Sequence, residues 1–209
     1  MAEASALVVY VIDDDEGVRD SLASLLIAKG FLVSSFAAAS EFLAVAAALR
    51  PGCLITDIRM PGMDGLELQR QLIEGALPFP LIVITGHGDV SLAVQAMKAG
   101  AIDFIEKPFS AEAILGAVSI ALAHIAQPGE AGRLAAEVAA KLASLTPREH
   151  DVLQGLLTGL PNKSIAYDLA ISPRTVEIHR ARVMEKTGAR SLSALVRMCI
   201  AAGIEPRRT

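Results

Sequence analysis

The first apolar run long enough for a strand is Leu7-Val8-Val9-Tyr10-Val11-Ile12, followed directly by three acids. A run of this kind, rich in β-branched residues and without polar alternation, predicts a strand buried on both faces. Residues 16–29 then have helical spacing, with Val18, Leu22, Leu25 and Leu26 on one side and Gly30 at the C-terminal end. The alternation repeats. Strands are predicted at 31–36, at 53–56 ending on Asp57, at 81–85 and at 102–105. Helices are predicted at 39–49, 65–73, 90–99 and 111 to about 127. Pro61-Gly62-Met63-Asp64-Gly65 and Gly86-His87-Gly88-Asp89 read as loops. Strict alternation of strands and helices predicts a doubly wound α/β fold, a five-stranded parallel sheet with helices on both faces.

The pattern changes after Pro128-Gly129-Glu130. An alanine-rich helical linker is predicted over 133–145. From Pro147 onward the periodicity is helical, with helices expected at 147–158, 162–169, 173–187 and 191–202. Ser172 can cap the third of these, with Pro173 at its favoured first position. Two short helices joined this way make a helix-turn-helix, so the second part reads as an all-α four-helix domain. The expected organisation is 1–125, a linker at 126–144, and 145–209.

Composition adds three constraints. Hydrophobic residues make up 53% of the chain and aromatics only 4%, so the core must be aliphatic, which suits a parallel sheet. No apolar stretch approaches the roughly 20 residues of a membrane span, and no basic segment precedes the first apolar run, so neither a membrane anchor nor a secretory signal is expected. Cys53 and Cys199 stand far apart with no histidine pattern near them, which points to a reducing cytoplasm rather than to a disulfide framework. The net charge of −4 conceals a division. Residues 1–140 carry eight Lys/Arg against seventeen Asp/Glu, whereas residues 141–209 carry eleven against six. The halves are therefore −9 and +5. An acidic front and a basic tail fit a cation or phosphoryl site in one and nucleic acid near the other.

In an open α/β sheet, ligands bind beyond the carboxyl ends of the strands. Asp13 and Asp14 follow the first strand, Asp57 ends the third, Thr85 ends the fourth and Lys107 follows the fifth. Three carboxylates repel one another unless a hard dication neutralises them, and Mg²⁺, or Mn²⁺ in its place, takes oxygen ligands. A carboxylate can be the nucleophile that forms an aspartyl-phosphate, with an ammonium and a hydroxyl pairing the phosphoryl oxygens.

Four segments carry a resemblance: Val11-Ile12-Asp13-Asp14-Asp15, Thr56-Asp57-Ile58-Arg59-Met60-Pro61-Gly62-Met63-Asp64-Gly65, Ile84-Thr85-Gly86 and Phe104-Ile105-Glu106-Lys107-Pro108-Phe109. The chain resembles the receiver domains of two-component response regulators over about residues 7–125. The resemblance implies a flavodoxin-like receiver fold with Asp57 as phospho-acceptor. It implies Asp57 and Asp14 as direct metal ligands with the backbone carbonyl of Arg59, Asp13 as an outer-shell or water-mediated one, and Thr85 and Lys107 against the phosphoryl group. It further implies Phe104 as the aromatic that shifts with Thr85 between two packings, and a cis peptide bond before Pro108. A phosphohydrolase of the haloacid-dehalogenase type also uses an aspartate after a strand. It needs a second Asp two residues on, where this chain has Arg59.

On the second helix of the helix-turn-helix, Val176 and Val183 suit a core. Arg174, Glu177, Ile178, Ala181, Arg182 and Glu185 lie on the other side, a mixed face suited to base edges and thymine methyls. Lys163, Thr175, His179, Arg180 and Lys186 are placed to reach phosphates. The segment from Leu145-Thr146-Pro147-Arg148-Glu149 to Ser191-Leu192 resembles the LuxR/NarL-type output domain, with Asn162-Lys163, Ile171-Ser172 and Thr175-Val176 as its marks. Together the resemblances imply a transcription activator without stand-alone enzyme activity, which at most loses its phosphoryl group slowly to water. They imply a FixL-like sensor histidine kinase as phosphodonor, a homodimer when phosphorylated, and promoter double-stranded DNA and RNA polymerase as partners. The target genes would be nitrogen-fixation or oxygen-responsive genes. A phosphorelay module whose tail binds only proteins is the competing reading. His87 and His124 are expected as loop and helix-surface residues, Cys53 and Cys199 as packing.

Overall fold

Five parallel strands form a sheet in the order β2-β1-β3-β4-β5: β1 (Val8–Ile12), β2 (Leu32–Phe36), β3 (Cys53–Asp57), β4 (Leu81–Thr85) and β5 (Asp103–Glu106). The structure is a computed structural model, and it describes residues 8–86, 90–126, 140–202 and 204. Helices α1 (Glu16–Ile27), α2 (Ala39–Ala46), α3 (Gly65–Glu74), α4 (Val90–Lys98) and α5 (Ala111–Ala126) follow the strands in turn. Among the described residues, those within Met1–His87 and Ala99–Pro128 form one compact unit. Those within Gly88–Lys98 and Gly129–Thr209 form the other.

The apolar runs become central strands because both of their faces are covered. Val9 and Val11 join Leu22 and Leu26 of α1 and Ile114, Val118 and Ala121 of α5 in one aliphatic core. Tyr10, one residue out of phase, turns to the opposite face. There its ring meets Phe42 of α2 and Phe79, with centroids 5.6 Å away in each case. Its hydroxyl donates to the Arg50 carbonyl at 2.9 Å, so the phenol is buried without an unpaired polar atom. β2 is one of the two edge strands, and its Leu32, Ser34 and Ser35 are exposed.

Element boundaries shift by at most three residues from the sequence reading. α2 ends at Ala46 rather than at 49, because Ala48 and Leu49 donate to Val45 and Ala46 in tight turns. β5 sits one residue later than expected, pairing Asp103 to Glu106 against Ile82 to Thr85. The peptide bond before Pro108 is cis. Of the expected linker helix, residues 140–143 are helical and 133–139 lie outside the described residues, as do His87, Gly88 and Asp89.

The C-terminal helices are α6 (Pro147–Leu157), α7 (Asn162–Asp168), α8 (Pro173–Thr187) and α9 (Leu192–Ala201). Thr146 and Glu149 cap α6 reciprocally, and Pro147 occupies its first turn. The core holds Val152, Leu153, Ile165, Val176, Val183, Leu195 and Cys199, all buried. No described helix is long and apolar enough to cross a membrane.

Candidate functional site

The strand order reverses direction between β1 and β3, and the crevice of a doubly wound sheet opens at that switch point. Asp13 stands one residue beyond β1, and Asp57 is the last residue of β3. One carboxylate oxygen from each of Asp13, Asp14 and Asp57 lies within 4.8 Å of the other two. Lys107, one residue beyond β5, is fixed by its backbone N–H, which donates to Thr85 O at 2.8 Å. Its ammonium then bridges the acids, 3.0 Å from Asp13 Oδ2 and 2.6 Å from Asp57 Oδ2. The remaining oxygens of these two acids are held by backbone donors. Arg59 N–H donates to Asp57 Oδ1 at 3.1 Å and Asp15 N–H to Asp13 Oδ1 at 2.9 Å.

Burial sets the electrostatics. Asp13 exposes 1% of its side chain, and this desolvation raises its carboxyl above the usual range. The Asp15 N–H and Lys107 pull it down and the Asp57 charge pushes it up, leaving a net rise. Burial also lowers the Lys107 ammonium, but its bonds to Asp57 and Asp13 outweigh that and raise it overall. The pocket thus holds three carboxylates against one ammonium bonded to two of them. Its donors to a cation are all oxygen, the set a hard dication prefers.

The flanking positions are shaped by the same strand ends. Thr85 is wholly buried, its hydroxyl directed to Gly86 O at 3.3 Å. Phe104 is buried in β5, in register with Val83. Asp64 caps α3, accepting from Glu67 N–H at 2.8 Å. That start is so close to β3 that a Cβ on Gly65 would lie 2.6 Å from the Asp57 carbonyl oxygen.

In the second unit, α7 and α8 are joined by a tight turn in which Ala170 takes a left-handed conformation, φ +53°. Ser172 caps α8, accepting from Thr175 N–H at 3.1 Å. Val176 and Val183 are fully buried, which leaves Arg174, Glu177, Ile178, Ala181 and Arg182 on the exposed side. Ile178 is 45% exposed on that side.

The profile described as the response regulator receiver domain matches residues 9–119, and that of the bacterial regulatory proteins of the luxR family matches residues 143–199. The chain belongs to the LuxR-type response regulators. It is 51% identical to the transcriptional regulatory protein FixJ of Azorhizobium caulinodans over 201 residues, 96% of this chain and 95% of that protein. Identity to FixJ of Rhizobium meliloti is 52% over 198 residues, covering 95% and 97% of the two chains. The response regulator protein TmoT of Ectopseudomonas mendocina is 44% identical, covering 91% and 87%. Among solved structures, full-length FixJ from B. japonicum has 47% identity and a TM-score of 0.57, covering 95% of this chain and 98% of that one.

This response regulator is thus a transcription factor with a five-stranded receiver and a helical output domain. Its structure brings Asp13, Asp14, Asp57 and Lys107 together as expected, and Arg59 reaches the cluster through its N–H. The output face is mixed. Lys163 is exposed, whereas Thr175, His179 and Arg180 are half-buried. The Thr175 hydroxyl is shared with Ser172 at 2.8 Å, and His179 Nδ1 is shut off from solvent with no partner among the described residues. Lys186 differs from the expectation: its ammonium pairs with Glu149 Oε2 at 2.6 Å and reaches Ser144 O at 3.4 Å. Three further residues are given no role by the sequence: Gly65, which stands only in a loop and a family motif, Glu149, which stands only in a family motif, and Arg19, whose Nη1 donates to Asp13 O and Asp14 O.

Proposed function

We propose that Asp57 accepts a phosphoryl group from the phosphohistidine of a FixL-like sensor histidine kinase. The Asp57 Oδ–P bond forms as the kinase N–P bond breaks, and the nitrogen takes the electron pair. The observation that carries this reading is the Lys107 ammonium seated between Asp13 and Asp57, in reach of an oxygen bonded at the Asp57 carboxylate. Asp13, Asp14, Asp57 and the Arg59 carbonyl would hold Mg²⁺ or Mn²⁺, which when bound neutralises charge on the phosphoryl oxygens. Lys107 and the Thr85 hydroxyl pair the other oxygens. Thr85 turns from Gly86 O to do so, and Phe104 follows into the space it leaves, biasing the receiver between two packings.

The phosphorylated chain forms a homodimer, binds promoter double-stranded DNA and recruits RNA polymerase in the cytoplasm. Loss of the group to slow hydrolysis resets it. Arg174, Glu177, Ile178, Ala181 and Arg182 meet base edges, while Lys163, Thr175, His179 and Arg180 serve phosphates. Lys186 is left out of that set because Glu149 holds it. The targets in this reading are nitrogen-fixation or oxygen-responsive genes, the former in keeping with the similarity to FixJ. The working boundaries are 1–125 for the receiver, 126–144 for the linker and 145–209 for the output domain.

A gel-shift titration of the full chain on a promoter fragment tests this. A small phosphodonor with Mg²⁺ is expected to tighten binding and to give a dimer by light scattering, and Asp57→Asn to remove both effects. Dimerisation of Asp57→Asn on adding the donor would contradict it.

A further inference from the structure

The loop that carries two of the three clustered acids is only three residues long, Asp13 to Asp15, between β1 and α1. Its shape is set from one side by α1 itself. The Asp15 side chain accepts from Val18 N–H at 3.1 Å, and Arg19 N–H donates to Asp15 O at 3.1 Å. The Arg19 side chain then turns back along the loop. Its Nη1 donates to two consecutive backbone carbonyls, Asp13 O at 2.7 Å and Asp14 O at 3.0 Å. One guanidinium nitrogen therefore fixes the orientation of both peptide units from which the pocket carboxylates spring. These bonds are charge-assisted, stronger than neutral ones. Arg19 is half-buried, so water competes with them only in part.

We infer that Arg19 is a positioning residue for cation binding: it holds the Asp13 and Asp14 peptides in the conformation that points both carboxylates at Asp57. This rests on the reading of the acidic cluster as a divalent-cation site. Without Arg19, two carbonyls turn to water and the loop samples conformations in which the three oxygens are no longer near one another. Ordering it then draws on the binding free energy of the cation. Loss of the clamp is expected to weaken binding roughly tenfold, about 1.4 kcal/mol. The effect lies on affinity. Once the cation is bound, the acids occupy the same places and phosphoryl acceptance by Asp57 recovers.

The test is a calorimetric titration of the full chain with MgCl₂, paired with the rate of Asp57 labelling by a small phosphodonor at graded Mg²⁺. For Arg19→Ala, the dissociation constant is expected to rise about tenfold. The Mg²⁺ concentration for half-maximal labelling should rise in parallel, with the saturated rate within twofold of the parent. Arg19→Lys keeps a cationic donor and is expected to recover most of the affinity, whereas Arg19→Met, which keeps the aliphatic stem without a donor, is not. Amide spectra of the metal-free variants check that all three fold. An Arg19→Ala affinity within twofold of the parent would overturn the inference, as would a lowered saturated rate that Mg²⁺ does not restore. If the parent itself binds no Mg²⁺, the cation-site reading fails, and the Arg19 inference fails with it. A parent that binds while Arg19→Ala binds equally well removes only the latter.

Discussion

The Lys107 ammonium lies 2.6 Å from Asp57 Oδ2, a contact between two strand ends 50 residues apart in sequence. The same ammonium touches Asp13 at 3.0 Å, so one cation bridges the two acids. Its removal should separate two effects. Lys107→Ala leaves the three carboxylates less compensated, so Mg²⁺ binding tightens. The developing charge on the phosphoryl group loses its partner, so labelling of Asp57 slows on the order of a hundredfold. Titration calorimetry and stopped-time labelling read the two quantities separately. Changes in the same direction would count against the assignment.

Asp13 should trade stability for function. Its carboxyl is raised above the ordinary value of 3.8, chiefly by desolvation, so the folded chain holds that proton more tightly than the unfolded one. The contribution to folding is present below that ordinary value and is lost as pH rises through the raised one. At neutral pH the charged Asp13 therefore costs stability in the metal-free chain. Asp13→Asn is expected to leave the metal-free receiver at least as stable at pH 7 while abolishing Mg²⁺ binding. Calorimetric unfolding with and without Mg²⁺ checks this, and a clearly lower metal-free midpoint would refute it.

Glu149 and Lys186 predict an acid transition in the output domain. Glu149 is 3% exposed, and its bonds to Lys186 and to the Thr146 N–H hold its carboxyl at about 2. The stability it supplies is present above the ordinary value of 4.5 and is lost as pH falls toward about 2. Lys186 is partly solvated, so the amount is on the order of 2 kcal/mol rather than the full linkage value. Amide signals of α8 followed from about pH 6 to about pH 3 should weaken in the parent. Glu149→Gln should already be weakened at pH 6 and respond little to acid.

Gly65→Ala sets two effects against each other. Alanine favours a helix by about 1 kcal/mol over glycine. Here the added Cβ would lie 2.6 Å from the backbone carbonyl oxygen of Asp57, an atom that cannot swing aside. The clash wins, and a loss of about 1–3 kcal/mol is expected on urea unfolding, with slower phosphoryl acceptance because β3 and α3 must part.

On the output domain, Arg174 is largely exposed and among the described residues pairs with Glu177, at 3.1 Å, so DNA can recruit it at little cost. Arg174→Ala should lose about 1–3 kcal/mol of specific binding and relax base preference at one position. Lys163→Ala should weaken all sequences alike and reduce the salt slope by about one charge. Gel shifts on wild-type and single-substituted operators at several salt concentrations distinguish the two patterns.

Most of this architecture was legible in the chain. Val8–Ile12 and Leu81–Thr85 are continuous apolar runs, and only a central parallel strand buries both faces of such a segment. The strand-end rule then gathered Asp13, Asp57 and Lys107 without any distance in hand. What escaped has a common physical cause. Arg19 acts on backbone carbonyls, which carry no signature in the sequence. Glu149 and Lys186 meet across 37 positions, and nothing local distinguishes Lys186 from a solvated cation. Residues 47–49 were read as helix because their side chains suit one, whereas their N–H groups close tight turns instead.

The switch requires that Asp57 be the side chain that takes the phosphoryl group. Incubation of the full chain with a small phosphodonor and Mg²⁺, followed by mass mapping of the acid-stabilised peptides, addresses this directly. A single phosphoryl group on the peptide containing Asp57, absent from Asp57→Asn and from samples with Mg²⁺ chelated, is the predicted result. A label on another residue, or none at all while Mg²⁺ is bound, would contradict it.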